Sequence, residues 1–361
     1  AHTSAFATWS VIAIDAKTGQ VIIASATCVR QQGFPERKPN GARDLMDVQA
    51  VIVPGFGVAA CQAGVDNTRE NQMLVYKEIQ KGTPPAEIIE MLKKDPNIER
   101  RQFGIVSIPN GGTVTEQNNR AGFNGSGNSR SSLFFGGRVG DMYYQVQGNT
   151  LLGDQVMHFA ALAFTRAGGT LADRVMAAME AADANGGDHR CNCGSNPMAH
   201  VPCDNKTAHV AYIAIANKDD HVGVTHNDGK YYAFITAFDN DLKKGESANP
   251  VKTLRMRYDA WKKAGSRRTA PQTRQSPAQR RANVHNAMQA RAGLDLSGQT
   301  VLLVDDVLTS GATVHEAARA LRRAKPALIL VAVLAFAACA GFCYALQLAA
   351  VQCVHAQVPG E

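Results

Sequence analysis

The sequence predicts a mixed α/β fold in a first long domain, followed by a short α/β unit of a different kind. Three observations lead there. Strand hairpins alternate with amphipathic helices over the first 264 residues, a segment rich in Arg, Gln, Ser and Pro interrupts the pattern after Gly265, and an apolar strand then runs into a small-residue turn and a helix.

From Thr8, Trp9, Val11 and Ala13 alternate with Ser10, Ile12 and Ile14, which reads as a largely buried strand. The polar run Asp15 to Gly19 turns it into a second strand, Val21 to Val29. An apolar run, Val51 to Ala60, precedes a helical stretch from about Asn67 to Lys81. Phe103 to Ile108 and Thr113 to Glu116 flank Asn110-Gly111-Gly112 as a further strand pair. Residues 118 to 140, rich in Asn, Gly and Ser, read as a long mobile loop. A helix is expected from about Leu152 to Arg166, and another after Thr170, capped with Asp173 and stopped by Gly186 and Gly187. Ala208 to Asn217 and Tyr231 to Phe238 flank the turn signal Asn227-Asp228-Gly229, and Asn249-Pro250 opens a helix to about Lys263.

With 361 residues the chain has room for two cores, and 45% apolar with 19% charged residues is the balance of a folded protein. The formal charge of +7 is local: residues 1 to 264 carry 28 Lys and Arg against 26 Asp and Glu, whereas residues 265 to 325 carry ten against four. That basic excess flanks a phosphate-binding pattern and lacks the interleaved aromatics of a single-strand groove, so nucleic acid is not an expected partner. The expected partners are a small-molecule substrate and a phosphorylated ribose, with a homo-oligomer left open.

Val301 to Val304 reads as a buried parallel strand, Asp305 and Asp306 stand at its end, and Thr309, Ser310, Gly311, Ala312 and Thr313 open the next helix. Backbone N–H groups and hydroxyls at a helix start suit a phosphate, and the paired carboxylates suit ribose hydroxyls. The run Val301 to Thr313 resembles the signature of type I phosphoribosyltransferases. Together with Arg268-Thr269, Gln272, Gln275-Ser276, Arg280-Arg281-Ala282-Asn283-Val284 and Leu296-Ser297-Gly298, it is similar to the C-terminal half of the competence-protein F group of that family. The resemblance implies that Asp305 and Asp306 contact the ribose and Thr309 to Thr313 the 5-phosphate, with phosphoribosyl pyrophosphate and Mg²⁺ as the ligand. The family's upstream strand and pyrophosphate loop have no counterpart here, so residues 265 to 335 are expected to be a partial unit, followed by an apolar tail, 336 to 361.

The segments Ala7-Thr8-Trp9-Ser10-Val11-Ile12-Ala13-Ile14-Asp15, Arg101-Gln102-Phe103-Gly104-Ile105-Val106, Gln147-Gly148-Asn149-Thr150-Leu151, Gly186-Gly187-Asp188 and Asn249-Pro250-Val251 are together similar to domain-of-unknown-function family 1028. That family is grouped with the N-terminal-nucleophile hydrolases. The resemblance implies a four-layer α/β/β/α sandwich, an amide hydrolase activity that needs no cofactor, and Thr8 as the nucleophile once cleavage frees its α-amine. An α-amine has a pKa of about 7.7 to 8.0, close enough to neutrality to accept the hydroxyl proton. Gly148 and Asn149 would supply oxyanion donors, and Asp188 with Arg190 would orient a substrate carboxylate. The plainer alternatives are that Thr8 merely starts a strand, Gly148-Asn149 is a turn, and Asp188 to Arg190 is a solvated helix end.

Five of the eight cysteines lie in the first domain. Disulfides Cys28 to Cys61, and one within Cys191 to Cys203, are expected; the alternative is zinc held by His189, Cys191, Cys193, His200 and Cys203. Export of the first domain is permitted, any signal peptide then being already absent from the numbering. Ala327 to Leu346 is an apolar run long enough to span a bilayer, although Ala327 to Leu334 is expected to be the next buried strand. The transferase-like unit is of a cytoplasmic type, so the two parts point to different compartments and to a gene fusion.

Overall fold

The computed structural model describes residues 8–109, 115, 118–128, 131–191, 206–265, 295–308, 317–318, 320–322 and 324–336. The chain divides into two compact units, Ala1–Ala260 and Trp261–Glu361.

In the first unit the order is β1 (Thr8–Asp15), β2 (Val21–Thr27), α1 (Leu45–Gln49), β3 (Ala50–Val53), β4 (Gly57–Ala63), α2 (Glu70–Lys81), α3 (Pro85–Leu92), β5 (Arg101–Ser107) and β6 (Arg120–Asn124). Then come β7 (Leu133–Val139), β8 (Met142–Asn149), α4 (Gln155–Arg166), α5 (Leu171–Ala184), β9 (Val210–Ala216) and β10 (Ala233–Phe238), and α6 (Pro250–Gly265) starts in this unit and ends in the second. One antiparallel sheet has the order β10-β9-β2-β1-β8-β7 and a second has β3-β4-β5-β6. The mixed α/β expectation holds.

The opening hairpin forms because Asp15 turns the chain with its own side chain, its carboxylate accepting from the backbone N–H of Lys17 at 2.9 Å. Gly19 then takes φ +73°, a conformation that costs glycine nothing. On β1 and β2 the inward residues Ile12, Ile14, Val21 and Ile23 meet Val58, Ala60 and Val106 of the second sheet in one buried core. The other face of β1 and β2 is covered by α5, and that of β7 and β8 by α4, where Tyr144 stacks on Phe164 at 4.0 Å. Beyond the second sheet, Val75 and Ile79 of α2 and Ile88 and Leu92 of α3 close on Cys61, Phe103 and Ile105. Truncating any one of these buried aliphatics to alanine is expected to cost about 2–5 kcal/mol.

The start of α5 is the expected one: Thr170 and Asp173 form a reciprocal capping box, and Gly186 and Gly187 follow its end with positive φ. The expected loop at 118–140 is instead largely β6 and β7. Its glycines answer a packing demand, since a Cβ on Gly122 of β6 would sit 2.6 Å from the Phe134 ring of β7, which belongs to the other sheet. Residues 110–114 lie outside the described residues, and β5 pairs with β4 and β6. Asn227, expected at a hairpin tip, is buried and donates to the carbonyls of Met46 at 2.8 Å and Ala50 at 3.1 Å, tying that connection to α1.

In the second unit β11 (Thr300–Leu308) and β12 (Leu328–Phe336) pair in parallel, with Thr300 opposite Leu328 and Asp305 opposite Val333. β12 covers the strand expected at Ala327 to Leu334 except for Ala327. The expectation of burial is corrected: Leu302 is 58% and Leu328 48% exposed, because among the described residues each strand has a single neighbour. No helix among the described residues is long and apolar enough to cross a membrane.

Candidate functional site

Thr8 opens β1 in the middle of the six-stranded sheet, opposite Thr27 on one side and Asn149 on the other. Strand alternation points its side chain, with those of Ser10, Ile12 and Ile14, toward the second sheet. The hydroxyl donates to Thr27 Oγ1 at 3.2 Å and is 2% exposed. Gly148 and Asn149 lie on β8 and are no turn.

The space between the sheets changes character along β1. At the Ile14 end it is apolar, and at the Thr8 end it is filled by carboxamides. Gln62 of β4 donates to the carbonyl of Thr8 at 3.1 Å and to Gln102 Oε1 at 2.7 Å, and accepts from Ser10 Oγ and Gln49 Nε2, both at 2.7 Å. Gln102 of β5 donates to the Gly148 carbonyl at 2.8 Å and accepts from Asn149 Nδ2 at 3.0 Å. Gln145 and Gln147 continue the row, and a Cβ on Gly104 would overlap both of their amides. All these carboxamides are buried. Asn149 Oδ1, also buried, has no hydrogen-bond partner among the described residues. A buried acceptor left unsatisfied in water-free surroundings costs about 1–3 kcal/mol, and such groups concentrate where a ligand or a reacting atom completes them.

A second arm reaches the same end of the sheet. Gly187, with φ +50°, packs so closely that a Cβ would meet the Trp9 ring at 2.7 Å, and it delivers Asp188 beside the end of β2. The Asp188 carboxylate is fully buried; it accepts from the backbone N–H of Cys28 at 2.9 Å and from Arg190 Nε and Nη2 at 3.1 and 2.8 Å. This two-point pair replaces the solvated helix end weighed from sequence, because the ion pair and the Cys28 amide supply what water would have given. Thr8, Gly148, Asn149, Asp188 and Arg190 are thus gathered at one end of one sheet.

Cys28 is joined to Cys191, with the Cα atoms 5.7 Å apart, so the expected Cys28–Cys61 bond is not formed. Cys61 belongs to the other sheet and faces α2, where burial pushes its thiol well above the usual range and leaves it a small hydrophobe. Cys193, His200 and Cys203 lie outside the described residues, as does the loop Thr309 to Thr313. Among the described residues, His209 joins Cys28 and Cys191 within 4.8 Å, but both sulfurs are already consumed in the disulfide.

Residues 8–222 match the family model described as "Family of unknown function (DUF1028)". The chain belongs to the DUF1028 family. Residues 254–341 match the phosphoribosyl transferase domain. A DUF1028 protein from Silicibacter pomeroyi, known from a crystal structure, is similar at 18% identity and a TM-score of 0.47, over 70% of this chain and 85% of that one. No curated protein matches.

In this DUF1028 chain the residues that sequence reasoning overlooked are Gln49, Gln62, Gln145, Gln147 and Tyr212, the last donating to Gln49 Oε1 at 3.3 Å. A signal for them existed. Each glutamine interrupts an otherwise apolar strand or helix at an inward position, where a lone polar residue asks for a buried partner.

Proposed function

We propose that the first unit is an N-terminal-nucleophile amide hydrolase of the α/β/β/α sandwich type, with Thr8 as the nucleophile after removal of the residues before it. The observation that carries this reading is the buried Thr8 hydroxyl at the head of a central strand, surrounded by carboxamides where the rest of the inter-sheet space is apolar. The packing of α4 and α5 on one sheet and of α2 and α3 on the other supports the layer order.

Once freed, the α-amine takes the Thr8 hydroxyl proton while Oγ1 attacks the amide carbon, and the protonated amine then gives that proton to the leaving nitrogen. Water repeats the sequence on the resulting ester. Asn149 is suited to both ends of this chemistry: Nδ2, now on Gln102, can turn to the oxyanion with the Gly148 backbone amide, and the vacant Oδ1 can accept from the new amine. Asp188 holds Cys28 and Arg190 in place, which positions Arg190 to orient a substrate carboxylate. The disulfide supports an oxidising compartment for this unit.

Intact mass of the isolated protein tests the reading directly, with a species beginning at Thr8 expected and its appearance blocked in Thr8→Ala. Absence of that species together with unchanged amide hydrolysis in Thr8→Ala would overturn it. The match to the phosphoribosyl transferase domain favours a second, separate activity for the second unit, binding of a 5-phosphorylated ribose by Asp305, Asp306 and the loop Thr309 to Thr313.

A further inference from the structure

β2, β9 and β10 lie side by side, with Thr27 opposite Val210 and Val210 opposite Phe238. The next residue outward on each is Cys28, His209 and Asp239, so these three meet at one edge of the ladder. The His209 N–H donates to the Thr27 carbonyl at 2.8 Å, and the His209 carbonyl accepts from the Asp239 N–H at 3.0 Å. Backbone bonds on both sides therefore fix where the imidazole starts. Its Nδ1 lies 2.7 Å from Asp239 Oδ2, on a side chain that is only 8% exposed. Cys191 reaches the same spot on the arm that follows Asp188 and closes the disulfide with Cys28.

The two sulfurs and one ring nitrogen of His209 lie within 4.8 Å of one another, and all three residues are half-buried, each keeping part of its surface in solvent. A disulfide needs neither an imidazole nor a carboxylate beside it. Two thiolates and an imidazole are, however, a donor set that zinc prefers, and a carboxylate on the histidine is the usual outer support of such a site. Tetrahedral zinc, with bonds of about 2.3 Å to sulfur and 2.0–2.1 Å to nitrogen, sets its ligand atoms roughly 3.5–3.8 Å apart. Bonded sulfurs are ~2.0 Å apart, so on reduction they must part by a little under ~2 Å. With the Cα atoms at 5.7 Å, a change of side-chain rotamer supplies that distance without moving the backbone.

We infer that Cys28, Cys191 and His209 are the ligands of a zinc ion that replaces the disulfide when the chain is reduced, with Asp239 positioning the imidazole. A dithiol reductant breaks the S–S bond, passing two electrons and two protons to the sulfurs and becoming a disulfide itself. Zn²⁺ then displaces both thiol protons to solvent, and water takes the fourth coordination position. The metal takes over what the disulfide does, tying the arm that carries Asp188 and Arg190 to the end of β2. This site stands independently of the Thr8 reading. It shares only Cys191 with the cluster His189, Cys191, Cys193, His200 and Cys203 weighed from sequence.

The full chain is reduced with a phosphine, freed of it by gel filtration without oxygen, and titrated with Co²⁺ and then Zn²⁺. We expect one equivalent of Co²⁺ to give a thiolate-to-cobalt charge-transfer band, and Zn²⁺ to bleach it with a Kd below about 1 µM. The oxidised chain should lack this equivalent. Alkylation and peptide mapping of the reduced wild type should find Cys28 and Cys191 protected by zinc. His209→Ala keeps both cysteines, so its fold is verified with the disulfide closed before reduction. It should weaken zinc binding at least ~100-fold, as should Cys28→Ser, and Asp239→Asn about 10–100-fold. Cys193→Ser with Cys203→Ser should leave Cys28 and Cys191 protected. No protection of Cys28 by zinc in the wild type, or zinc binding indifferent to His209→Ala, overturns the inference.

Discussion

Replacing Gln62 by methionine preserves most of the side-chain volume and removes four hydrogen bonds at once. The bonds to Ser10 Oγ and Gln49 Nε2, both at 2.7 Å, leave two donors in a place where neither residue is exposed. Gln102 Oε1 loses one donor and keeps another, Asn149 Nδ2 at 3.0 Å. Each orphaned buried donor is expected to cost about 1–3 kcal/mol, so Gln62→Met should lose about 2–6 kcal/mol, a large part of the roughly 5–15 kcal/mol that holds a domain together. The assay is urea unfolding followed by Trp9, which is fully buried, in a Trp261→Phe background that removes the other of the two tryptophans. Gln49→Met and the double variant complete a cycle. Coupling should make the double variant less costly than the sum of the singles by about 1 kcal/mol or more. A loss below about 1 kcal/mol for Gln62→Met, or strict additivity, would refute the idea that the carboxamide row is a connected structural unit.

Acid should weaken the first unit partly through Glu246, whose hydrogen bonds from Arg257 at 2.6 and 2.8 Å hold its carboxyl down to about 2. A depressed pKa contributes stability above the unfolded value near ~4.3, and that stability is lost as pH falls from there toward 2, so Glu246→Gln should flatten the wild-type decline in urea midpoint over that window. Peptide mapping without reductant should recover Cys28 linked to Cys191 and none linked to Cys61. Opening this loop of 163 residues with Cys28→Ser and Cys191→Ser should cost about 5 kcal/mol in the chain-entropy account, and a cost under about 1 kcal/mol would show that the bond constrains little. Phosphoribosyl pyrophosphate with Mg²⁺ should bind the second unit at roughly millimolar Kd, worth about 4 kcal/mol, and more weakly after Asp305→Asn and Asp306→Asn. Micromolar binding, or pyrophosphate release with a purine or pyrimidine base, would mean that a complete transferase site is present.

The features legible in the sequence are those decided locally. Asp15 and Gly19 turn the first hairpin, Thr170 and Asp173 cap α5, and Asn249-Pro250 opens α6, each within a few residues of its partner. The features missed depend on which faces meet. Glycine at 122 reads as a loop until Phe134 is placed over it, and Cys28 cannot be paired until Cys61 is known to face α2. The candidate site was half legible. Thr8, Asn149 and Asp188 stood out through their neighbours in sequence. Gln62 and Gln102 each interrupt a largely apolar strand, but the partners they ask for are identified only once the second sheet is stacked on the first.

The place of β1 inside its sheet bears on what cutting the chain before Thr8 would do. A new chain end ordinarily frays, because its first residues have lost the covalent neighbour that held them. Here the end would lie between β2 and β8, laddered on both sides from Thr8 onward, with its first carbonyl gripped by Gln62. The severed terminus would therefore keep the order of an interior residue, and the amine created there would be as fixed in position as any side chain of the core.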